Sequence, residues 1–266
     1  MTKDFNIFLC GGRTGDLVHN LIAIKSLYQQ TGKKGILYIT NDRELGGDIF
    51  SYDIEKTYQD LKEFILYQDY IEEFHILKTG SLLRQEHTNL SKWRRSRYCM
   101  KRSWIEIMCD MHQIGLYDNK WLEFTKNPQL SQTILIHRNL NKKRHCDNFP
   151  WSEILKNNHC LFVCCEKEEW LQFPHKDKCG LLICKDFSEL VESINSAKFF
   201  IGNMSSPLAI AHGLGKPHLG ELFYPDQVHY IGDELYLDHF YYIAQKGYSK
   251  LEGIENWINY ESRFCK

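Results

Sequence analysis

Short apolar runs alternate with helix-like segments along most of the chain, and this alternation constrains the fold more than any other feature. Residues 5–10 have the pattern of a buried strand that leads into Gly11. The next segment carries apolar residues at helical spacing, namely Leu17, Leu21, Ile24 and Leu27. Gly32 stops this pattern, and a second apolar run covers residues 35–40. A strand, helix and strand in this order predict a parallel sheet with a right-handed crossover.

The alternation restarts after residues 127–132, a polar stretch that contains one proline and is typical of a domain boundary. Strand-like and helix-like segments then follow one another to residue 219. A chain of 266 residues that is 43% hydrophobic can bury two cores of modest size. We therefore predict an α/β protein with two Rossmann-like, doubly wound parallel-sheet domains, residues 1–127 and 128–266, that face a central cleft.

Charge and cysteine content limit the classes of function. The 33 basic and 34 acidic residues give a net charge of −1, so no global field attracts nucleic acid or an anionic membrane. The ten cysteines stand at irregular positions without zinc-site spacing, and no apolar leader precedes them. No apolar stretch approaches the roughly 20 residues that span a bilayer. We expect a soluble cytoplasmic protein with buried thiols, no metal site and no nucleic-acid partner.

The first strand leads into the turn Gly12-Arg13-Thr14-Gly15-Asp16. This turn is neither a P-loop nor a dinucleotide fingerprint, because it lacks the Lys-Ser/Thr ending and the G-x-G-x-x-G spacing. It places a cation and a carboxylate where strand ends meet helix starts, which is where parallel sheets bind ligands. Asp16 is suited equally to stabilising the helix start and to acting as a general base.

A second turn of small residues follows the strand-like run at residues 198–202. Its sequence is Gly202-Asn203-Met204-Ser205-Ser206-Pro207, and a helix-like segment begins at its end. Hydroxyls and open amides at a helix start can hold a diphosphate. Ordinary helix capping by Ser205 or Ser206 is the alternative interpretation.

Positive charge is concentrated in one segment, residues 92–102, with aromatic residues interleaved. Arg94, Arg95 and Arg97 belong to it. This segment is suited to an anionic acceptor such as a phosphorylated glycan or lipid head group, or it is a solvated basic helix face. A nucleic-acid role finds no other support in the sequence.

The two turns together resemble the heptosyltransferase-like group of GT-B glycosyltransferases. In that group a Gly-x-Gly-Asp turn before an apolar helix opens the first domain, and residues 12–21 are similar to it. The second-domain signature of the group is matched at Gly202, Asn203, Ser205, Pro207, Ala211, Gly215 and Pro217. Met204 stands where the group has aspartate, and Ala209 where it has histidine. The pattern from residue 202 to 214 is more similar to a divergent bacterial and phage branch.

The resemblance implies a glycosyltransferase that moves a sugar from a nucleotide-sugar donor to a hydroxyl acceptor on a glycan or lipid. It implies that Asp16 is the catalytic base and that Arg138 contacts the donor diphosphate together with the serines of the second turn. Glutamates after strands are expected to bond base or ribose hydroxyls, namely Glu166 or Glu168, and Glu221. The residues expected to line the cleft are Gly12, Arg13, Gly15, Gly202 and Asn203, with His19, Arg94, Arg95 and Arg97 on the acceptor side.

Metal independence is expected, because the sequence has no Asp-x-Asp motif and leaving-group stabilisation falls to Arg138 and the serines. No cofactor is expected beyond the donor itself. Two alternatives remain open at the level of sequence. The first is a nucleotide- or sugar-binding protein that has lost catalysis, which the Met204 and Ala209 departures permit. The second is a nucleotide-sugar epimerase or hydrolase built on the same architecture.

Overall fold

The computed structural model describes residues 5–11, 13–45, 53–81, 83, 85–96, 104–115, 120–142, 145, 149–222 and 240–243. For residues 94, 104, 105, 222 and 240–243 it describes the backbone but not the side chain. The chain divides into two compact units, Met1–Phe124 and Thr125–Lys266. The division falls three residues before the predicted boundary. None of the helices among these residues is long and apolar enough to cross a membrane.

The first unit contains a sheet of four parallel strands. The strands are β1 (Asn6–Gly11), β2 (Gly35–Thr40), β3 (Ile71–Ile76) and β4 (Thr88–Asn89), and the helices are α1 (Thr14–Thr31), α2 (Ile54–Leu66) and α3 (Trp104–His112). The strand order is β3-β2-β1-β4. The strands β2 and β3 are added on one side of β1 and β4 on the other, so the order of addition reverses between β1 and β4.

Helix α1 follows β1 directly and buries the predicted apolar side, including Leu17, Leu21 and Ile24. It ends at Thr31, where Gly32 takes the left-handed conformation with φ 69° and donates its N–H to the Tyr28 carbonyl. Glycine adopts this conformation without the steric penalty of a Cβ atom. The predicted stop of the helix is thereby confirmed.

The second unit contains a sheet of six parallel strands. The strands are β5 (Ile134–His137), β6 (Cys160–Cys164), β7 (Gly180–Ile183), β8 (Phe199–Asn203), β9 (His218–Leu222) and β10 (Phe240–Ile243), and the helices are α4 (Trp151–Asn157), α5 (Lys167–Leu171), α6 (Phe187–Ser196) and α7 (Ser206–Gly213). The strand order is β10-β9-β8-β5-β6-β7, which is the Rossmann order with its reversal between β5 and β8.

The core of the second unit lies against its central strands. Ile136 of β5 and Ile201 of β8 have no exposed surface, as expected for strands in the middle of a parallel sheet. An aromatic cluster packs beside them, in which the ring of Phe173 lies 5.2 Å from both Trp151 and Phe162. Truncating one of these rings to alanine costs about 3–5 kcal/mol in a typical core.

The predicted α/β class with two parallel sheets is confirmed, and so are most element positions in the second unit. Three elements were not predicted, namely β4, α3 and β10. Strand β9 also continues beyond the expected run at residues 218–219, because Gly220 pairs with Gly202 of β8 and Glu221 pairs with Asn203. Glu221 therefore lies inside β9 and not after it, which corrects the sequence interpretation.

Candidate functional site

The site in the second unit lies at the carboxyl ends of β5 and β8, where the strand order reverses. Ligands of open α/β sheets bind at this reversal, because the loops from the two strands diverge there and leave a crevice. His137 is the last residue of β5, and Arg138 follows it. Asn203 is the last residue of β8, and Ser205 precedes α7.

Two asparagines tie the loops after β5 and β8 to each other. The backbone N–H of Asn139 donates to Oδ1 of Asn203 at 3.1 Å, and Nδ2 of Asn203 donates to Oδ1 of Asn139 at 3.1 Å. Asn139 also donates from its side chain to the Met204 carbonyl at 3.3 Å. Asn203, which was predicted to line the cleft, is fully buried. Its side chain holds the two loops together through these hydrogen bonds.

Arg138 and Glu221 form a buried ion pair that connects the end of β5 with β9. The guanidinium donates from Nε to Oε2 of Glu221 at 3.0 Å and from Nη2 to Oε1 at 2.5 Å. The Arg138 side chain is 11% exposed and the Glu221 side chain 0%. This bidentate geometry fixes the plane of the guanidinium at the edge of the sheet.

His137 lies between an acid and a hydroxyl. Its Nε2 is 3.3 Å from Oε2 of Glu169 on α5, and its Nδ1 is 3.3 Å from Oγ of Ser205. The imidazole is almost fully buried, and its ring centroid lies 5.8 Å from that of Phe162. Glu169 and Ser205 are both partly exposed.

Helix α7 begins at Ser206, with Pro207 in its first turn and Ser205 as its N-cap residue. The Ser205 side chain makes no capping hydrogen bond and instead donates to the Asn203 carbonyl at 3.0 Å. By contrast, Asp186 caps α6 with its carboxylate. The capping interpretation of Ser205 is therefore wrong, and Ser206 is partly exposed in the first turn.

Gly202 is required by close packing. A Cβ atom there would lie 2.8 Å from Cε1 of Phe200 and 3.1 Å from the His137 carbonyl oxygen. Real Cβ atoms essentially never show the first contact and rarely the second, so a side chain at this position would displace the Phe200 ring and crowd the end of β5.

Two glutamates proposed for donor binding lie on the surface of the second unit. Glu166 is exposed at the start of α5 and does not cap it with its side chain. Glu168 is also exposed, and its Oε1 accepts a hydrogen bond from Gln172 at 2.8 Å. Neither belongs to the network around His137 and Arg138, in which the acid from α5 is Glu169.

In the sheet of the first unit, the strand order reverses between β1 and β4. Ser91, just after β4, accepts from the Gly11 N–H at 2.7 Å and donates to the Gly11 carbonyl at 2.8 Å. Arg13 is the exposed N-cap residue of α1, Gly15 lies within its first turn, and Asp16 is partly exposed beside it. Gly12 lies outside the described residues.

His19 of α1 is buried, and its Nδ1 donates to the Gly15 carbonyl at 3.0 Å. Its ring lies 5.9 Å from the Trp121 ring. His19 has 1% of its surface exposed, and its acceptor role stays a prediction.

The described part of the basic segment forms a 3-10 helix, Lys92–Arg95, and residues 97–102 lie outside the described residues. Arg95 is exposed, and its Nη2 lies 3.2 Å from the Arg43 carbonyl oxygen, to which it donates. The side chain of Arg94 and the whole of Arg97 lie outside the described part of the chain. Within that part, no three His, Cys, Asp or Glu side chains are grouped so that they could hold a metal ion.

Burial makes the thiols near the site weak acids. It raises the pKa of Cys164, at the end of β6, to about 12, and the nearby Glu169 carboxylate adds to this effect. Cys160 and Cys184 are raised to a pKa of about 12 by burial as well. These thiols are neutral at physiological pH.

Sequence reasoning missed three members of the network as functional candidates, namely His137, Asn139 and Glu169. His137 is the last residue of β5 and Asn139 follows Arg138, so their position at the end of a buried strand was a usable signal. Glu169 is 32 residues from His137 in the chain, and no local pattern distinguishes it from its neighbours Glu166 and Glu168.

Two units, each with a parallel sheet whose strand order reverses once, define an α/β protein with two Rossmann-like units. No protein-family model matches the chain, and no curated protein matches its sequence. Solved structures match it in fold. The glycosyl transferase family 9 protein of Veillonella parvula is 10% identical with a TM-score of 0.57, over 99% of both chains.

Two heptosyltransferases of E. coli have the same fold. The ADP-heptose lipopolysaccharide heptosyltransferase II is 10% identical with a TM-score of 0.57, and the match covers 98% of this chain and 99% of that one. The heptosyltransferase WaaC with ADP is 10% identical with a TM-score of 0.52, and the match covers 97% and 98%. The predicted GT-B, heptosyltransferase-like fold is thereby confirmed.

Proposed function

We propose that this protein is a glycosyltransferase that moves a sugar from a nucleotide-sugar donor to a hydroxyl acceptor without a metal ion. One observation carries the proposal: Arg138, Ser205 and the start of α7 converge at the β5–β8 reversal of a fold whose solved relatives include heptosyltransferases. The reversal is where Rossmann-type sheets hold nucleotides.

The donor diphosphate is assigned to Arg138, Ser205, Ser206 and the first amides of α7. Arg138 is held in one orientation by Glu221, so a phosphate meets a guanidinium whose rotamer is already fixed. Glu221 acts through Arg138 in this proposal, whereas exposed Glu166 is assigned a contact to the base or ribose. The helix start adds a favourable macrodipole.

Asp16 is assigned as the general base. It would take the proton from the acceptor hydroxyl, whose oxygen forms a bond to the anomeric carbon as the bond to the diphosphate oxygen breaks. Its position supports this role, because a partly exposed carboxylate in the first turn after β1 lies at the ligand-binding end of the first sheet. The acceptor is a glycan or a lipid-linked glycan.

The stabilisation of the negative charge on the departing diphosphate is assigned to protein groups and not to a divalent cation. The guanidinium, hydroxyls and amides named above are all hydrogen-bond donors, which is what a departing diphosphate needs. Activity should therefore persist in EDTA and should not rise on addition of Mg²⁺ or Fe²⁺.

The test is a binding and turnover series. ADP, UDP and GDP are screened by thermal shift, with ADP first because the heptosyltransferase neighbours are named with it. The matching nucleotide sugars are then assayed for release of nucleoside diphosphate, with and without glycan acceptors. Acceptor-dependent release supports the proposal. Binding without turnover would make the protein a catalytically inactive binder, and release without any acceptor would make it a hydrolase or epimerase.

A further inference from the structure

Arg138 and Ser205, the two side chains assigned to the donor diphosphate, lie on different loops. Arg138 follows β5, and Ser205 lies between β8 and α7. A diphosphate that contacts both side chains has to span the space between the two loops. Its affinity therefore depends on whether that spacing is fixed before the ligand arrives.

Asn139 joins the two loops one residue away from each of these side chains. It directly follows Arg138, and its Nδ2 donates at 3.3 Å to the carbonyl of Met204, the residue directly before Ser205. Its backbone N–H donates to Oδ1 of Asn203 at 3.1 Å. The position of Arg138 relative to Ser205 is therefore tied to the side chain of Asn139.

Backbone groups set the orientation of the Asn139 side-chain amide. Its Oδ1 accepts from the N–H of Asn141 at 3.0 Å, and its Nδ2 faces the Met204 carbonyl. A backbone N–H only donates and a carbonyl only accepts, so exchanging the oxygen and nitrogen of the amide would lose both bonds. Nδ2 of Asn203 donates to the same Oδ1 at 3.1 Å. These contacts leave the amide one orientation.

We propose that Asn139 is a positioning residue of the donor site, which holds Arg138 and Ser205 at the spacing at which both contact one diphosphate. This inference rests on the proposed function, since that function assigns the diphosphate to these two side chains.

The proposal separates anions by their length. Pyrophosphate can contact both loops at once, and two contacts on one ligand reinforce each other only when their spacing matches it. Inorganic phosphate is too short to need both loops, so its affinity does not depend on their spacing. A residue that only stabilised the fold would change both affinities alike.

The test measures the affinities of pyrophosphate and inorganic phosphate at one pH by NMR titration of native protein, N139A and N158A. N139A removes the side-chain amide but keeps the backbone N–H that donates to Asn203. N158A is the matched control, because Asn158 is also partly exposed and its Nδ2 donates to the Ile154 carbonyl at 2.9 Å, at the end of α4. Thermal unfolding of each variant checks that it is folded.

We expect N139A to lower the ratio of pyrophosphate affinity to phosphate affinity by about tenfold, while N158A keeps the native ratio. In the native protein, the signals of the Arg138 Nε–H and the Ser205 N–H should shift on addition of pyrophosphate with one common Kd. This second readout does not depend on the folding of a variant.

Two outcomes would overturn the inference and leave the proposed function standing. The first is a folded N139A with the native ratio, or with equal losses of both affinities. The second is native protein in which pyrophosphate shifts only one of the two signals. Absence of pyrophosphate binding to the native protein would overturn the assigned diphosphate site itself, and this inference with it.

Discussion

Arg138 and Glu221 are 83 residues apart in the chain and are joined by a bidentate ion pair that passes across the end of β8. The pair connects the loop after β5 with a residue inside β9, so three neighbouring strands share one fixed arrangement at the site. It also explains why a glutamate with no exposed surface stands in the middle of a strand.

Replacing Glu221 should destabilise the protein strongly. E221Q would leave the Arg138 charge largely buried without its carboxylate, which costs about 3 kcal/mol in free energy of unfolding. Urea unfolding with an unchanged m-value would measure this loss. K56Q is the control, because Lys56 pairs with Asp60 on the exposed surface of α2, where an ion pair contributes about 0.5 kcal/mol or less. Equal stability of E221Q and native protein would contradict the buried pair.

Replacing Gly202 with alanine should disturb the site and its packing together. The new Cβ would lie 2.8 Å from the Phe200 ring, and such overpacking costs about 1–3 kcal/mol. G32A is the comparison, since it places a Cβ in open space at φ 69° in the first unit and costs about 1 kcal/mol through backbone strain alone. Calorimetry should find weaker nucleoside diphosphate binding in G202A and native binding in G32A. Native nucleoside diphosphate affinity in G202A would contradict the expected coupling between the packing at Gly202 and the site.

Replacing Asp16 with asparagine tests its assigned role as the general base. D16N should lower sugar transfer about 100-fold or more while keeping nucleoside diphosphate affinity, because a general base acts on the acceptor proton and not on the donor. D60N on the exposed face of α2 controls for loss of one carboxylate. Retained turnover in D16N would remove Asp16 from the mechanism.

The reactivity of the cysteine thiols tests whether the core of the second unit is packed as described. Burial raises the pKa of Cys160, Cys164 and Cys184 to about 12, and only the thiolate reacts readily with alkylating reagents. Mass spectrometry after brief iodoacetamide treatment at about pH 8 should find these residues unmodified. Cys165 is partly exposed and should be modified before them. Early modification of Cys164 would contradict the described core.

Local signals in the sequence were enough to predict most of the alternating elements. Gly32 marked the end of α1 because a left-handed residue was needed there, and Ser206-Pro207 marked the start of α7. Strand β4 escaped prediction because it has only two residues, Thr88–Asn89, too few for a period to appear. Glu221 was placed after its strand because the pairing of Gly220 with Gly202 and of Glu221 with Asn203 is visible only once the sheet register is known.

The sequence was enough to predict where the site lies in the second unit, but not which side chains contact one another there. The turn at residues 202–207 and the strand end at Arg138 were identified, since both follow buried strands. The partners of Arg138 and His137, which are Glu221 and Glu169, were not identified. They lie 83 and 32 residues away in the chain, and only the strand order and the position of α5 bring them close. The ordinary capping role of Ser205 was excluded only by the direction of its hydroxyl, toward the Asn203 carbonyl.

The most direct test of the central claim is a crystal structure of the protein grown with ADP, UDP or GDP at saturating concentration. The account predicts a nucleotide whose diphosphate contacts Arg138, Ser205 and the first amides of α7, at the reversal between β5 and β8. A structure in which the nucleotide binds elsewhere, or in which no nucleotide binds at saturation, would contradict it.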